Sequence, residues 1–330
     1  MIATEFEEEA ALPLRAELRA VSVVVPSYNH AQFIEATLRS IMKQRLSPAE
    51  LIVIDDGSSD DSPRVIERVL KDCPFSCELV ARDNRGLCAT LNEGFERTRG
   101  EYFAYLGSDD LWLPEFLEAR VQLLESRSVA VLAYGHAYFV DEQNRIVDTT
   151  ADWASYADGD ARAMLLQTTA PMSPTVLYRR AALERQRWNE ESKLEDYDLY
   201  LRLSAEGEFA FDPRILSAWR RHGSNVSRDQ ALMLEEQLRA QREAALRFGF
   251  SAEQIAELQT RTKFSHAEDF LRVDQKLQAF SLLMNNWRGA SSPRATARML
   301  ARLLIPKSFM RGRARVRQRN VHKRYGTLES

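Results

Sequence analysis

Apolar and polar positions follow two different rhythms along the first hundred residues. Short continuous apolar runs are typical of strands buried on both faces. Between them, apolar side chains recur every three or four residues, as in amphipathic helices. We predict strands at 21–25, 51–54, 78–81 and 102–106, and helices at 31–43, 63–70 and 87–98. This alternation indicates an α/β fold with a mainly parallel sheet and right-handed crossovers.

The pattern is less regular between residues 114 and 228. There we predict helices at 114–125 and 196–205, strands at 129–134, 136–140, 176–178 and 215–219, and a hairpin turn at 141–144. From residue 230 onward the period is helical, with helices at 230–247, 252–287 (broken) and 293–304. The change of pattern places a domain boundary near residue 228.

Charge is distributed unevenly at the two ends of the chain. The first segment is acidic through Glu5, Glu7, Glu8 and Glu9, and the last is basic through Lys307, Arg311, Arg313, Arg315, Arg317, Arg319, Lys323 and Arg324. A block of like charge is either a solvated tail or a contact for anionic lipid or another polyanion. We expect an acidic segment at 1–19, an α/β domain at 20–228, a helical extension at 229–306 and a basic tail at 307–330.

Composition narrows the class of protein and its compartment. The 330 residues are 45% apolar and 28% charged with a net charge of -3, an ordinary globular composition. Cys73, Cys77 and Cys88 are an odd number without zinc-ligand spacing and suggest a reducing compartment. With no leader and no apolar stretch of membrane-spanning length, we expect a cytoplasmic protein, at most peripheral to the inner face of a membrane. No nucleic-acid partner is expected, because the basic tail lacks interleaved aromatics.

Adjacent carboxylates follow two of the predicted strands. Asp55 and Asp56 come directly after one apolar run, and Asp109 and Asp110 follow another closely. In open α/β sheets, ligands bind outside the carboxyl ends of the strands. Two groups of carboxylates would repel a bare phosphate, but one pair can hold a neutral base and ribose while the other holds a divalent cation. This combination suggests a site for a nucleoside-diphosphate sugar.

Six short motifs occur in an order that resembles the family 2 glycosyltransferases, whose fold is GT-A. They are Val23 to Asn29, Asp55 to Asp60, Asn84-Arg85-Gly86 with Asn92 and Gly94, Gly107 to Asp110, Glu195 to Asp198, and Arg220 to His222. The resemblance covers residues 20 to about 228 and implies a GT-A domain, a mixed and mainly parallel sheet flanked by helices. The helical segment after it matches no family that we recognise.

The resemblance implies that three loops contact the donor nucleotide. The loop after the first strand would pack around the base, with Tyr28 or its neighbours against the ring. One aspartate of the Asp55–Asp56 pair would bind the base; Asp56 is favoured, although the sequence does not separate the two. Each position also has an ordinary role in a turn or a helix cap. The candidate nucleotide contacts are Pro26, Tyr28, Asn29, Asp55, Asp56, Asn84, Arg85 and Gly86.

The resemblance also implies a divalent cation, Mn²⁺ or Mg²⁺, that meets the donor diphosphate. Asp109 occupies the metal-facing third position of the family's Asp-x-Asp pattern, and His222 would complete the site, with Arg221 beside the diphosphate. The first position is Gly107, so the contact of the usual aspartate is either missing or taken by Ser108 or Asp110. Hard cations prefer oxygen ligands and retain places for substrate phosphates.

Asp196 matches the family's general base, which takes the proton from the acceptor hydroxyl. Acids in the first turn of a helix also complement its dipole, which is the structural alternative. The resemblance implies single displacement with inversion, from a UDP-sugar by default, onto a glycan or lipid-linked acceptor. The membrane spans and Gln-x-x-Arg-Trp motif of processive members are missing, so we expect a non-processive enzyme. The basic segment 307–324 could then face an anionic membrane.

Two other classes of protein remain open. A nucleotidyltransferase would share the scaffold and the metal-binding aspartates, but it should carry a Gly-rich, Lys-bearing loop after the first strand. Pro26 to His30 is not such a loop. A non-catalytic sugar-nucleotide-binding or scaffold protein is favoured by Gly107 and opposed by the joint presence of Asp109, Asp196 and His222.

Overall fold

The computed structural model describes residues 20–223 and 229–328 of the chain. Its first half alternates strands and helices as the apolar pattern predicts. The strands are β1 (Val21–Ser27), β2 (Glu50–Asp56), β3 (Ser76–Arg82) and β4 (Tyr102–Tyr105). The helices are α1 (Ile34–Met42), α2 (Ser62–Leu70) and α3 (Leu87–Arg97). All strand pairs among these four are parallel.

The next part of the chain extends the same sheet. It contains β5 (Leu111–Trp112), α4 (Phe116–Glu125), β6 (Ala130–Val140), β7 (Ile146–Thr149), α5 (Arg162–Leu166), β8 (Leu177–Arg179), α6 (Arg180–Arg185), α7 (Glu195–Leu203) and β9 (Glu208–Arg220). The sheet order is β3-β2-β1-β4-β8-β6-β9-β5, with β7 paired to β6. The mixed, mainly parallel sheet flanked by helices is confirmed.

Strand directions place several carboxyl ends at one edge of the sheet. β8 runs antiparallel to both β4 and β6, so β6 points the same way as β4. β9 is parallel to β6. The strands β1, β2, β3, β4, β6 and β9 therefore all end at the same edge, and the loops that follow them converge there.

Five further helices follow residue 229. They are α8 (Gln230–Arg247), α9 (Ala252–Arg272), α10 (Lys276–Asn285), α11 (Pro293–Leu304) and α12 (Lys307–Tyr325). Ala240 and Ala244 of α8 and Ile255 of α9 pack in the same core as the sheet residues Phe103 and Tyr134. A separate small core joins α9, α10 and α11. The predicted helical extension is present and is anchored on the α/β part of the molecule.

The predicted strands at 129–134 and 136–140 form the single strand β6, which the sequence pattern split at Gly135. A Cβ at Gly135 would lie 2.4 Å from Arg120 Nη2 and 2.5 Å from Asp212 O. The strand therefore continues through a glycine because a buried arginine lies against its backbone. The predicted strand at 215–219 is the end of the longer β9, whose register against β6 shifts near Pro213. This shift explains why a proline is tolerated inside a strand.

The basic tail is helical over most of its length. The end of α12 packs on the α/β part: Val321 is buried, and the rings of Tyr138 and Tyr325 lie 5.4 Å apart. Arg317 Nη2 donates to Asp148 Oδ1 at 2.9 Å. Residues 312–320 are all exposed. The helix is thus fixed at its end, and residues 312–320 face solvent.

The cysteines differ from the expected set of reduced thiols. Cys73, in the turn after α2, and Cys77, the second residue of β3, are joined in a disulfide across a separation of four residues. Cys88 is free and buried, and burial raises the pKa of its thiol to about 12. The sequence did not predict the pairing, because the close approach of the two thiols depends on the turn between the elements.

Candidate functional site

Three polar segments meet where the sheet strands end. Ser108, Asp109 and Asp110 follow β4, and His222 follows β9 by two residues. The loop after β1 brings His30 to the same place. The convergence follows from the common direction of these strands, although the residues lie up to 192 positions apart in the sequence.

Asp109 and two histidines form a cluster of potential metal ligands. His222 Nε2 lies 2.7 Å from Asp109 Oδ2, and His30 Nδ1 lies 3.8 Å from Asp109 Oδ1. One ligand atom from each of the three residues falls within 4.8 Å of the others. Burial lowers the pKa of His30, an effect larger than the opposing charge of Asp109. A neutral imidazole is the form that binds metals, so the donor set fits a divalent cation.

The backbone around Asp109 is held by buried hydrogen bonds. Thr37 Oγ1 donates to the carbonyl oxygens of Ser108 and Asp110 at 3.0 and 2.8 Å. Arg220 Nε donates to the Asp109 carbonyl at 2.7 Å. The side chain of Arg220 also lies over the Phe33 ring, 4.8 Å from its centre. These contacts tie the Asp109 turn to α1 and to the end of β9, so the carboxylate is presented on a rigid support.

Asp110 faces the interior and not the open edge. Its Oδ1 accepts from the Arg220 backbone N–H at 2.9 Å, and its side chain is buried. Burial, followed by the charge of Asp109, raises the pKa of Asp110 well above its usual range. In this structure Asp110 joins β9 to the Asp109 turn, and its contact with the donor substrate stays a prediction.

Ser108 and Gly107 show how the Asp-x-Asp pattern has changed. The buried Ser108 hydroxyl lies 2.8 Å from His30 Nδ1 and so holds that ring beside Asp109. A Cβ at Gly107 would lie 3.0 Å from Asp109 Oδ1 and 3.1 Å from Asp110 Oδ2. A carboxylate at position 107 would crowd both neighbouring carboxylates. His30 instead provides a third donor atom next to Asp109.

The two carboxylates at the end of β2 accept hydrogen bonds from within the protein. Asp55 accepts from the backbone N–H and the hydroxyl of Ser58 at 2.9 and 2.7 Å. Asp56 accepts from the backbone N–H groups of Arg85 and Gly86, each at 2.8 Å, and forms an ion pair with Arg82. Both side chains are buried. In this structure the pair shapes the loops after β2 and β3.

The loop after β1 lies directly against the loop after β2. Asn29 has a φ of 54°, and its Oδ1 accepts from the Ser59 backbone N–H at 2.8 Å. Its own N–H donates to Ser58 Oγ at 2.9 Å. Pro26 is a buried residue of β1, whereas Tyr28 is 49% exposed. Of these predicted nucleotide contacts, Tyr28 and Asn29 are exposed to solvent.

The loop before α3 presents Arg85 to solvent. Its side chain is 59% exposed and lies 3.6 Å from Glu93. Asn84 Nδ2 donates to the carbonyl oxygen of Asp56 at 2.8 Å, and Gly86 precedes the first turn with a φ of 87°. Asp56, Asn84 and Gly86 together fix the loop from which Arg85 extends.

Arg221 lies beside the cluster, but its side chain contacts residues of β6 and β7. Its guanidinium carbon is 4.0 Å from the centre of the Phe139 ring, and Nη2 is 3.7 Å from Asp148 Oδ2. Burial lowers the pKa of Arg221. The predicted contact between Arg221 and a diphosphate would require this side chain to leave Asp148.

Asp196 lies in the first turn of α7, next to the end of β4. Tyr105, the last residue of β4, donates its hydroxyl to Asp196 Oδ1. Burial raises the pKa of Asp196 to about 6, and the hydrogen bond from Tyr105 opposes the rise. Burial, followed by the charge of Asp196, raises the pKa of the adjacent Glu195 to about 8. A carboxylate that titrates near 6 is suited to accept a proton near neutral pH.

Sequence reasoning missed His30 and Tyr105 as members of this site. Tyr105 belongs to an apolar run and was assigned to the sheet, and His30 was considered only as part of a loop that lacks phosphate-binding glycines. A signal was present for His30, because it follows the first strand by three residues at the carboxyl edge. Its approach to Asp109 depends on the packing of β1 beside β4.

Comparison with known proteins places this geometry in a family. The family "Glycosyl transferase family 2" matches residues 22–187 of the chain. An uncharacterized glycosyltransferase, alr2836 of Nostoc sp., is 28% identical over 169 residues, which cover 50% of this chain and 52% of that relative. The matched part of the chain thus spans about half of the relative's length.

Solved structures agree with the observed fold. S. aureus TarS 1-349 in complex with UDP-GlcNAc has a TM-score of 0.60 at 17% identity and covers 94% of this chain and 93% of its own. The mannosyltransferase PcManGT from Pyrobaculum calidifontis, in complex with GDP-Man and Mn²⁺, has a TM-score of 0.58 at 18% identity, with coverages of 93% and 86%. These likenesses show the GT-A fold, and with the match over half the chain, this protein belongs to glycosyl transferase family 2.

Proposed function

We propose that the chain is an inverting, metal-dependent and non-processive glycosyltransferase. It moves a hexosyl or N-acetylhexosaminyl group from a nucleoside-diphosphate donor, with UDP favoured, to a hydroxyl of a glycan or lipid-linked acceptor. The observation that carries the proposal is the cluster of Asp109, His222 and His30 at the carboxyl edge of the sheet. Asp196, held by the end of β4 at the same edge, supplies a base.

The metal is held by Asp109, His222 and His30. When bound, a divalent cation neutralises charge that develops on the leaving diphosphate. Imidazole ligands suit transition metals, whereas Mg²⁺ prefers an all-oxygen shell. With two imidazoles among three donors, the cluster favours Mn²⁺ over Mg²⁺. His30 compensates for Gly107, and this compensation supports an active enzyme over a degenerate binding protein.

Asp196 takes the proton from the attacking hydroxyl of the acceptor. The acceptor oxygen forms a bond to the anomeric carbon as the bond to the diphosphate oxygen breaks, so one displacement inverts the configuration. Tyr105 orients the Asp196 carboxylate and remains protonated, since burial raises the pKa of Tyr105 well above its usual range. Asp196 is then a base above a pH of about 6.

The nucleotide lies against the loops after β1, β2 and β3. Tyr28 and Arg85 are exposed at these loops, whereas the buried Asp55 and Asp56 hold the loops in shape. We propose that Tyr28 packs on the base and that Arg85 meets the ribose or a phosphate. The complexes of TarS with UDP-GlcNAc and of PcManGT with GDP-Man make uracil and guanine the two bases to compare.

The setting proposed for the reaction is the cytoplasm, with a glycan or lipid-linked acceptor. Among the helices that the structure describes, none is both long and apolar enough to cross a bilayer. The basic segment 307–324 would bring the enzyme to an anionic inner membrane face, as a peripheral protein.

Calorimetric titration tests the donor class. UDP, GDP, dTDP and CMP are titrated into the protein with and without Mn²⁺, and into the variants Asp109→Ala and Asp72→Ala. Asp72 is an exposed aspartate beyond the end of α2, remote from the cluster in the sequence, and serves as the matched control. We expect one nucleotide diphosphate to bind in a metal-dependent manner to the wild type and the control, and weakly to Asp109→Ala. Failure of all four nucleotides to bind would refute the transferase and favour a non-catalytic scaffold.

A further inference from the structure

The last helices of the chain carry an exposed apolar stripe. On α10, Leu277, Phe280 and Met284 recur at spacings of three and four residues and so share one face, and the exposed Trp287 follows in the next turn. Leu277 is 84% exposed and Trp287 is 58% exposed. The opposite face already packs inward through Ala279 and Leu283. A helix that is apolar on both faces normally packs against other groups on both. We therefore expect a binding partner for the outer stripe.

The stripe continues onto the neighbouring helix. Lys276 Nζ donates to the carbonyl oxygens of Leu303 and Ile305, each at 2.9 Å, and so fixes the start of α10 against the end of α11. Leu277 follows that lysine, and Leu304 lies between the two acceptors and is also 84% exposed. The patch therefore spans two helices, and contiguous exposed apolar surface of this kind marks an interaction site.

The chain segment that carries the patch is strongly cationic, which favours one kind of partner. Residues 275–328 contain 13 lysines and arginines and no aspartate or glutamate, although the whole chain has a net charge of -3. Much of this charge lies on α12, whose exposed part includes Arg313, Arg315 and Arg319. A second protein surface normally presents both signs of charge, whereas an anionic bilayer presents one sign over an apolar interior. Apolar and aromatic side chains beside dense cations are typical of helices that lie in a membrane interface.

We propose that α10, α11 and α12 form a lipid-binding face that lies on an anionic bilayer. The leucines and Trp287 enter the boundary between headgroups and acyl chains, and the arginines of α12 lie on the headgroups. This surface is larger than the basic segment alone, because it includes the apolar stripe that the sequence pattern alone would assign to a helical core. The proposal does not depend on the proposed reaction.

A chain of contacts leads from the lipid-binding face towards the metal cluster. Arg317 of α12 donates to Asp148 Oδ1 at 2.9 Å, and the other oxygen of Asp148 lies 3.7 Å from Arg221 Nη2. Arg221 immediately precedes His222. One carboxylate thus separates the cationic helix from the loop that carries a candidate metal ligand.

Co-sedimentation with vesicles tests the proposal on the full chain. One set of vesicles contains phosphatidylcholine alone, and the other contains equal parts of phosphatidylcholine and phosphatidylglycerol. We expect sedimentation with the anionic set and little with the neutral set, with a loss of binding as salt increases. No sedimentation with either set, or equal sedimentation with both, would overturn the proposal.

Three variants separate the two parts of the lipid-binding face. Arg313→Ser, Arg315→Ser and Arg319→Ser together should lower partitioning by roughly a hundredfold, from the lost attraction of three cations. Leu277→Ser combined with Trp287→Ser should lower it by about tenfold or more, from lost apolar insertion. The control, Val129→Ser, changes an exposed apolar residue that precedes β6, at the opposite edge of the sheet.

The same variants identify the other occupants of this face. Light scattering reports whether the chain forms a dimer that the apolar double variant dissociates. A dimer of this kind without vesicle binding would mean that a second copy covers the stripe. Vesicle binding that appears only after removal of residues 1–19 would mean that the acidic segment covers it. Either result would contradict the proposal, whereas nucleotide binding would be unaffected by any of these outcomes.

Discussion

At the scale of single residues, the site depends on how burial sets the protonation of its acids. Asp109 lies at the open edge beside two imidazoles, whereas the adjacent Asp110 is turned inward to a backbone N–H. Asp196 titrates near 6 because it is buried, yet a tyrosine hydroxyl stabilises its charged form. Carboxylates that are chemically alike thus have different roles because their surroundings differ.

Replacing Tyr105 tests the assignment of Asp196 as the base. Tyr105→Phe removes a hydrogen bond that lowers the pKa of Asp196, so the pKa of Asp196 should rise above its present value of about 6. A protonated carboxylate cannot act as the base. The acid limb of the kcat/KM profile should therefore move to higher pH. Because Glu195 lies beside Asp196, the limb reports the pair.

The control for this variant is Tyr178→Phe. Tyr178 is also buried, and its hydroxyl lies 3.4 Å from the hydroxyl of Tyr200. We expect the pH profile of this variant to shift much less than that of Tyr105→Phe. If Tyr105→Phe lowered the rate equally at every pH, the hydroxyl would have a packing role and Asp196 would lose its main support as the base.

At the scale of elements, the apolar rhythm predicted the strands and helices of the first half to within a few residues. Continuous apolar runs and the period of 3.6 residues reflect local features of strands and helices, which are present in the sequence. β6 was split because a glycine at position 135 reads as a break, and only the buried Arg120 behind it explains the unbroken strand. β5, α5 and α6 are short, and their formation depends on neighbours far along the chain.

The site was predicted in part for the same reason. Asp109, His222 and Asp196 belong to motifs that the sequence displays, and each lies at the carboxyl edge as expected. Their partners His30 and Tyr105 are chosen by the packing of β1, β4 and α7, which no local pattern encodes. The inward turn of Asp110 likewise depends on β9, which arrives more than a hundred residues later.

The buried pair of Arg120 and Asp212 is a strong link between α4 and β9. Arg120 Nη1 lies 2.7 Å from Asp212 Oδ2, and both side chains are almost fully buried. Burial lowers the pKa of Arg120 to about 10, and Asp212 opposes this. Asp212→Ala should reduce the free energy of unfolding by about 3–5 kcal/mol, because it leaves a buried charge without its carboxylate. Urea denaturation measures the change.

The double variant Arg120→Met with Asp212→Ala separates the pair from simple packing. Removing both charges eliminates the uncompensated guanidinium, so much of the lost stability should return. A double variant that is less stable than Asp212→Ala alone would show that Arg120 contributes mainly through its other contacts, including its bond to the Thr175 carbonyl at 3.1 Å.

At the scale of the whole molecule, chemistry and charge occupy different regions. Strands that share one direction bring the acids and histidines to a single edge of the sheet. The cations of residues 275–328 lie on the helices at the end of the chain. The contact of Arg317 with Asp148 connects the two regions. In this arrangement a bilayer would hold the enzyme on one side, and the nucleotide would enter at the carboxyl edge.

The central claim is that Asp109, His222 and His30 hold one divalent cation for a nucleotide diphosphate. The most direct measurement is the anomalous scattering of manganese in crystals grown with Mn²⁺ and the diphosphate that calorimetry selects. We expect one manganese peak within bonding distance of all three side chains and of the diphosphate. A nucleotide bound without manganese at Asp109, or a manganese peak that leaves both histidines uncoordinated, would contradict it.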